Sequence, residues 1–316
     1  MQPSTSVALN IADKGFPISV FNRTVSKVDE TVARATEEGG LPLTGHHSPR
    51  DFVLSLSRPR SIIILVKVGP AVDQTISALS WFLEPRDAII DGGNDWYEHT
   101  ERRISEASSQ GLLYLGMGVL GGEEGARRVP SLMPGGSRQA FDNVADILSK
   151  VAAQVDDGPC VTYVGPGGCG NFVKVVIYEA YDVLRKWTVQ QAVELSVAAP
   201  TIVASLDCRY LSGLKEEREA ASSVLEQARI SNEALKASVG NVDKKRLIDD
   251  VRQALYASKI YSYAQGMNLF RAKSQEKGWN LNLGELARIW KEGDIIRARF
   301  LDRIKKAYDG MGTFLI

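Results

Sequence analysis

Cysteine and histidine are scarce in this chain, with three residues of each among 316. The cysteines are odd in number and form no C-x-x-C spacing, which argues against a disulfide framework and against a zinc site. The histidines lack the i, i+4 spacing of helical metal ligands. These residues are Cys160, Cys169, Cys208, His46, His47 and His99. We therefore expect free thiols and no bound metal.

Long apolar runs and an excess of charge of one sign are also missing. The longest apolar run covers residues 62–66, far short of the ~20 residues that a membrane span needs. Lys plus Arg equals Asp plus Glu at 38 each, so no overall positive field exists to hold DNA or RNA. Residues 1–15 lack a basic start followed by an apolar run, which argues against secretory and transit peptides. The expectation is a cytoplasmic protein without a nucleic-acid or membrane partner.

The first half of the sequence alternates short apolar runs with helical stretches, which is typical of βαβ units and a parallel sheet. This pattern predicts an α/β, doubly wound, Rossmann-type domain over residues 1–155. Strands are predicted at residues 18–21, 61–66, 88–91 and 112–116, and helices at 7–14, 25–38, 71–83, 97–109 and 137–154.

The second half has a different pattern. Residues 156–170 are rich in glycine and place a predicted strand, 161–164, between turns. From residue 171 onward the apolar residues follow a helical period. The helical stretches are residues 171–197, 215–238, 243–277 and 284–308. We therefore predict an all-α domain over residues 156–316.

The start of the sequence is unusual for a dinucleotide-binding domain, which normally opens with a strand and a glycine-rich turn. Here a helix comes first, and residues 1–6 contain no glycine and no strand pattern. The sheet is therefore expected to be one strand short at its nucleotide-facing centre.

Asn22, Arg23 and Thr24 follow the first predicted strand, where an NAD-specific fold usually has a carboxylate for the ribose 2′-hydroxyl. No acid stands there. The planar guanidinium of Arg23 suits a 2′-phosphate, so the expected preference is NADP. The alternative is a solvated loop arginine.

Three glycine-rich segments follow later predicted strands: residues 90–94, 119–126 and 131–136. Glycine there would let a ligand approach the backbone closely at the carboxyl end of the sheet, although each segment also fits a plain turn. Lys174 lies in the first turns of the helix that begins near Asn171. Burial beside a helix N-terminus would lower its pKa toward that of a general base, whereas most helix lysines are simply solvated.

Several of these segments together resemble the signature motifs of the decarboxylating 6-phosphogluconate dehydrogenases, most closely the plant members. A first set of motifs comprises Asn22 to Asp29, Ile90 to Asn94, Gly121 to Ala126, Pro130 to Gly136 and Phe172 to Lys174. Those of the helical domain are Ala254 to Lys259, Ser262 to Gly266 and Ala287 to Trp290. The similarity runs through nearly the whole chain.

The resemblance implies an enzyme of the pentose phosphate pathway and of gluconate utilisation. Members of this family form homodimers and oxidise the 3-hydroxyl of 6-phosphogluconate with NADP. The β-keto acid then loses carbon dioxide and gives ribulose 5-phosphate, without a metal. By resemblance Lys174 is the base that takes the hydroxyl proton. The implied substrate contacts are Asn94, Gly121, Gly122 and Arg209, and the implied cofactor contacts are Asn22, Arg23, Thr24, Val66, Lys67, Val68 and Asn94.

Four departures from the family are visible in the sequence. The opening strand and its G-x-A-x-M-G turn are absent. After Lys174 the family's M-V-H-N-G-I-E-Y-G-D segment is missing, and Glu179 is the nearest carboxylate without being assigned the acid role. Residues 184–188 join helices that several dozen residues separate in the family. The chain stops at Ile316, before a tail that serves the partner's phosphate site, and Leu120 replaces a substrate-contacting serine.

These departures leave three functions open. The first is an NADP-dependent 6-phosphogluconate dehydrogenase, and the second is a catalytically inactive truncated homologue that acts as a dimerisation partner. The third is a relative acting on a smaller 3-hydroxy acid. The losses predict very slow turnover of 6-phosphogluconate, because effects of residues that act as a unit compound.

Overall fold

The computed structural model describes residues 3–181, 187–228, 243–293 and 298–310. Its contacts form two compact units, of which the first joins Met1–Val175 to Lys273–Ile316 and the second is Val176–Ala272. This division differs from the boundary at residue 155, which stays a prediction about domains. The segment 182–186, the side chain of Glu179 and residues 229–242 lie outside the description.

The strands and helices alternate through the first half, and helices follow. The strands are β1 Ile18–Phe21, β2 Leu43–His46, β3 Ser61–Ile64, β4 Ala88–Asp91, β5 Leu113–Leu120, β6 Ser131–Gly136, β7 Gln154–Val155 and β8 Gly158–Pro159. The helices are α1 Pro3–Asp13, α2 Val25–Glu37, α3 Pro49–Leu54, α4 Pro70–Ser80, α5 Tyr97–Ser109, α6 Gly122–Arg128, α7 Arg138–Asp142, α8 Ala145–Val151, α9 Cys169–Tyr181, α10 Trp187–Glu194, α11 Pro200–Gly213, α12 Lys215–Gln227, α13 Lys244–Lys277, α14 Leu283–Ile289 and α15 Phe300–Gly310.

The parallel strands of the first unit form two separate sheets. Strands β1 and β2 pair in parallel, and a four-stranded sheet has the order β3-β4-β5-β6, with β6 antiparallel. Among the described residues no strand hydrogen-bonds both β1 and β3. The two sheets therefore separate between β1 and β3, where the sequence predicts the missing strand.

The four-stranded sheet buries a different set of apolar side chains on each face, because successive residues of a strand point to opposite sides. Ile62 and Ile64 of β3 and Ile89 of β4 pack with α3, α4 and α5. Ala88 and Ile90 pack on the other face with α7 and α8. Helices therefore cover both faces, as the predicted doubly wound fold requires.

Helix α1 contributes to a third apolar cluster beside the edge strands. Val7 and Ile11 pack with Ile18 of β1 and Ile63 of β3. The side-chain amide of the buried Asn10 donates to the carbonyl oxygens of Ala126 at 3.1 Å and Val151 at 3.3 Å. These bonds hold α1 against α6 and the end of α8.

The predicted strands 18–21 and 88–91 and the helix 97–109 have the predicted bounds. The predicted helix 137–154 is instead the pair α7 and α8, because Val144 leaves the helical conformation at φ −124° and ψ 4°. Of the predicted strand 161–164, Val161 makes one isolated bridge, to Leu132 of β6. The predicted helix 284–308 stops at Ile289, and Gly293 then takes φ +89° close to the backbone of Ser131.

The second unit contains only helices among its described residues: the last part of α9, then α10, α11, α12 and most of α13. Gln265 of α13 holds α11, because its side-chain oxygen accepts the amides of Thr201 at 3.1 Å and Ile202 at 3.3 Å. None of the helices in the described part of the chain has the length and apolarity of a membrane span.

Candidate functional site

Two loops leave the same edge of the sheet, because β3 and β4 are neighbouring parallel strands. The loop after β3 contains Val66 and Lys67, both exposed, and the half-buried Val68. The loop after β4 contains Asn94, half-buried between buried neighbours. This carboxyl-terminal edge is where open α/β sheets bind their ligands.

The two loops lie close together. The amide of Gly69 donates to Oδ2 of Asp95 at 3.3 Å. A Cβ atom added to Gly93 would lie 3.8 Å from the carbonyl oxygen of Val66. The predicted cofactor contacts of the first loop are therefore brought beside Asn94.

The turn after β4 depends on a buried carboxylate. Oδ1 of Asp91 accepts the amide of Gly93 at 2.9 Å, and the hydroxyl of Tyr114 donates to Oδ2 at 3.0 Å. Burial raises the pKa of Asp91. A Cβ atom on Gly92 would come within 2.8 Å of the side chain of Leu65, so this turn needs glycine to pass the neighbouring loop.

Helix α9 lies directly against the backbone of β5 and β6, which places Lys174. A Cβ atom on Gly170 would lie 2.3 Å from the carbonyl oxygen of Met133, and one on Gly118 would lie 2.4 Å from Cβ of Lys174. The side chain of Lys174 thus runs over Gly118 and is only 3% exposed. It is not one of the many solvated helix lysines.

Asn171 was not predicted as a site residue, yet it links the helix of Lys174 to the loop of Asn94. Its side-chain amide donates to the carbonyl oxygen of Gly93 at 3.1 Å, and its oxygen accepts the hydroxyl of Thr100 at 3.2 Å. The only signal in the sequence is its place one turn before Lys174, which puts both side chains on the same face of a helix.

Gly121 and Gly122 lie at the end of β5, where α6 begins. Their φ angles are +134° and +57°, and the backbone of Gly125 would meet a Cβ on Gly121 at 2.9 Å. Leu120, which stands where the resemblance implies a serine, is buried in the sheet. The glycines match their predicted role in a tight turn, and the role of contacting substrate stays a proposal.

Asn22, Arg23 and Thr24 follow β1 and therefore belong to the other sheet. Oδ1 of Asn22 accepts the amide of Thr24 at 2.9 Å, which stabilises the turn into α2. The side chain of Arg23 is exposed. Arg209 is exposed on α11, in the second unit. The described contacts thus bring the loop of residues 66–68 beside the loop of Asn94, and Asn171 links the loop of Asn94 to the helix of Lys174.

A mainly parallel sheet with glycine turns at its carboxyl edge, an exposed lysine in the neighbouring loop and a buried helix lysine fits the class of dinucleotide-dependent dehydrogenases. Family models agree with this class. The NAD binding domain of 6-phosphogluconate dehydrogenase matches residues 5–165, and the 6-phosphogluconate dehydrogenase C-terminal domain matches residues 179–313. The chain belongs to the family of decarboxylating 6-phosphogluconate dehydrogenases.

Three similar proteins illustrate the membership. The chain is 62% identical to the Arabidopsis thaliana chloroplastic 6-phosphogluconate dehydrogenase, decarboxylating 3, covering 96% of this chain and 76% of the relative. It is 56% identical to the Spinacia oleracea 6-phosphogluconate dehydrogenase, decarboxylating 1, and the match covers 96% of this chain and 77% of that relative. A Plasmodium falciparum 6-phosphogluconate dehydrogenase, solved with its cofactor NADP+ and with its substrate 6-phosphogluconate, has a TM-score of 0.86 at 38% identity. This match covers 97% of this chain and 79% of the Plasmodium chain.

The comparison with the Arabidopsis protein also shows an internal loss. Their alignment spans 373 positions although this chain has 316 residues, so at least 57 aligned positions of the relative face no residue here. Such gaps lie between matched residues and do not depend on where the chain begins or ends. The predicted loss of internal segments is confirmed, and its place between Lys174 and Trp187 stays a prediction.

Proposed function

We propose that this chain carries out NADP-dependent oxidative decarboxylation of 6-phosphogluconate to ribulose 5-phosphate and carbon dioxide. The observation that carries the proposal is the placement of Lys174. Its side chain is buried against Gly118, on a helix that Asn171 ties to the loop of Asn94. The reaction needs a base to take a proton from the substrate, and the buried Lys174 near the carboxyl-terminal edge of the sheet can serve as that base.

The residues at the sheet edge fit NADP. Gly69 has φ +89°, and an added Cβ would meet nothing within 4 Å, so the loop backbone beside Asn94 faces open space. We propose that Val66, Lys67, Val68 and Asn94 contact the cofactor there. Asn22, Arg23 and Thr24 would hold its 2′-phosphate through the guanidinium of Arg23 and neighbouring hydrogen bonds. When bound, NADP+ supplies the hydride acceptor.

Lys174 acts first as a base and then as an acid in this proposal. Its neutral Nζ takes the proton of the substrate's 3-hydroxyl while the hydride leaves the same carbon. The resulting ammonium donates a hydrogen bond to the new ketone, which stabilises the negative charge that develops as the carboxylate is lost as carbon dioxide. The carbon that loses the carboxylate then takes a proton from solvent, which gives ribulose 5-phosphate. Asn94, Gly121, Gly122 and Arg209 are the proposed substrate contacts.

We further propose that the second unit forms a homodimer with another copy of this chain. Leu247, Val251 and Leu255 follow one another at intervals of four residues along α13, and all three are exposed. Ile248 and Tyr256 extend this apolar surface. Contiguous exposed apolar patches of this kind mark interaction surfaces. Light scattering should give twice 34.6 kDa for the protein and the monomer mass for Val251→Glu.

A second function has its own supporting observation. The loss of at least 57 internal positions relative to the Arabidopsis protein (373 aligned positions against 316 residues) favours an inactive homologue that persists as a dimerisation partner.

The cytoplasmic location also stays a prediction, and the names of several relatives make the chloroplast the competing location. Imaging of a fluorescent fusion decides between the two compartments.

Absorbance of NADPH tests the main proposal. Purified protein with saturating NADP+ and 6-phosphogluconate should form NADPH, with ribulose 5-phosphate as product, and Lys174→Ala should abolish it. Light scattering of a mixture with a full-length relative tests the second function. Mixed dimers without NADPH formation by this chain alone would favour the inactive homologue.

A further inference from the structure

Arg103 of α5 is the most deeply buried cation of the sheet edge, with 1% of its surface exposed. A buried guanidinium is stable only when its donors find partners. Nε donates to Oδ1 of Asp73 at 2.8 Å, and Nη1 donates to Oδ2 of Asp95 at 2.6 Å. Nη2 donates to the carbonyl oxygen of Gly69 at 3.2 Å. Each nitrogen of the guanidinium therefore has an acceptor.

These acceptors belong to the two ligand loops. Gly69 ends the loop that contains Val66, Lys67 and Val68, and Asp73 lies in the first turn of the helix that follows. Asp95 follows Asn94 directly in the second loop. One guanidinium therefore joins the end of the first loop to the second, across the edge at which the strands end.

The carboxylates around Arg103 also fix the backbone on both sides of Asn94. Oδ1 of Asp95 accepts the amide of Trp96 at 2.8 Å, and the carboxylate of Asp91, which holds the amide of Gly93, lies 3.5 Å from Nη1 of Arg103. Burial opposes the charge of Asp95, but hydrogen bonds from Arg103 and His99 outweigh it and lower the pKa of Asp95. Asp95 is thus held as an anion.

We propose that Arg103 is a positioning residue that sets the spacing between the Val66 to Val68 segment and Asn94. It acts through Asp95 and Gly69, the residues of the two loops that its guanidinium contacts. The identity of the ligand as NADP rests on the proposed function, whereas the coupling of the two loops does not.

Arg102 provides a matched control on the same helix. It also donates to Oδ1 of Asp73, at 2.9 Å, but it donates in addition to Glu106, at 2.8 Å, on the same helix. Arg102→Met removes a cation and a bond to Asp73 without touching Asp95 or Gly69. Arg103→Met and Arg103→Lys remove the fork that joins the loops, and lysine keeps the charge.

Hydrogen exchange of the ligand-free protein measures the coupling. In both Arg103 variants, amides in residues 65–69 and 92–97 should exchange at least about tenfold faster, the loss expected for hydrogen bonds to a charged group. Strands β5 and β6 should exchange as in the wild type, and Arg102→Met should leave both loops unchanged. If Arg103 couples the two loops, they open together. In the wild type, the hydrogen bonds of the Gly69 and Gly93 amides should therefore open with the same free energy, and this comparison tests the coupling even if the methionine variant does not fold.

A second readout is the affinity for NADP+, measured by fluorescence titration. It should fall about 10-fold or more in Arg103→Lys and stay unchanged in Arg102→Met. Faster exchange throughout the protein, or equal effects of Arg102→Met and Arg103→Lys, would overturn the positioning role. Failure of the wild type to bind NADP+ would refute the proposed function and leave the exchange result to decide on Arg103.

Discussion

Gly118→Ala tests the packing that places Lys174. The added Cβ would lie 2.4 Å from Cβ and 2.7 Å from Cγ of Lys174, and 3.1 Å from the carbonyl oxygen of Gly170. Carbon atoms pack at about 3.5–4.0 Å, so Lys174 must move by about 1 Å. Overpacking of this kind costs about 1–3 kcal/mol of unfolding free energy. A displacement of about 1 Å in a reacting group lowers the rate on the order of 100-fold.

Gly266→Ala is the matched control, because Gly266 lies within α13 and an added Cβ would meet nothing within 4 Å. The same substitution there should raise the unfolding free energy by up to about 1 kcal/mol, since alanine is the better helix former. Urea unfolding and NADPH formation are measured for both variants. Unfolding free energy within about 0.5 kcal/mol of the wild type, with an unchanged rate, would refute the placement of Lys174.

The remaining predictions concern the base, the cofactor preference and a carboxylate. Lys174→Ala should abolish NADPH formation while NADP+ still binds by fluorescence titration; turnover by this variant would exclude Lys174 as the base. Arg23→Ala should lower the NADP+ to NAD+ affinity ratio about tenfold or more, and an unchanged ratio would count against the 2′-phosphate contact. Hydrogen bonding from Arg103, partly opposed by burial, lowers the pKa of Asp73 to about 2. The stabilisation by Asp73 over Asp73→Asn should therefore be complete above about pH 5 and disappear as pH falls toward about 2, and a pH-independent difference in urea unfolding would contradict this.

The fold could be predicted where the apolar pattern decides it. Strand β4 begins with the apolar run Ala88 to Ile90, which is buried on both faces of the sheet, and ends at Asp91 just before two glycines, so its bounds follow from the sequence. The glycines of residues 131–136 predict a segment that a ligand approaches closely, or else a plain turn, whereas these residues form strand β6. They pair with β5, and Gly135 is needed there because an added Cβ would lie 2.5 Å from the backbone nitrogen of Gly170, at the start of α9.

The site could be predicted only in part. The motif around Asn94 and the position of Lys174 can be recognised from neighbouring residues alone. Asn94 follows the predicted strand β4, and Lys174 lies in the predicted helix α9. Arg103 contacts Asp95, which is 8 positions away in the sequence, and Asn171 contacts Gly93, which is 78 positions away. Nothing in their immediate neighbourhood marks such partners, because charged helix residues are mostly solvated.

The rate of NADPH formation with 6-phosphogluconate, beside a full-length relative and with Lys174→Ala as the blank, tests the proposed function most directly. We expect NADPH and ribulose 5-phosphate in equal amounts, at a rate at least about 100-fold below that of the full-length enzyme. The segment predicted to be missing after Lys174 contains the glutamate that serves as the family's general acid, and the loss of a general acid typically costs that much. No NADPH above the blank would contradict the proposed activity, and a rate within about tenfold of the relative would contradict the predicted effect of the internal loss.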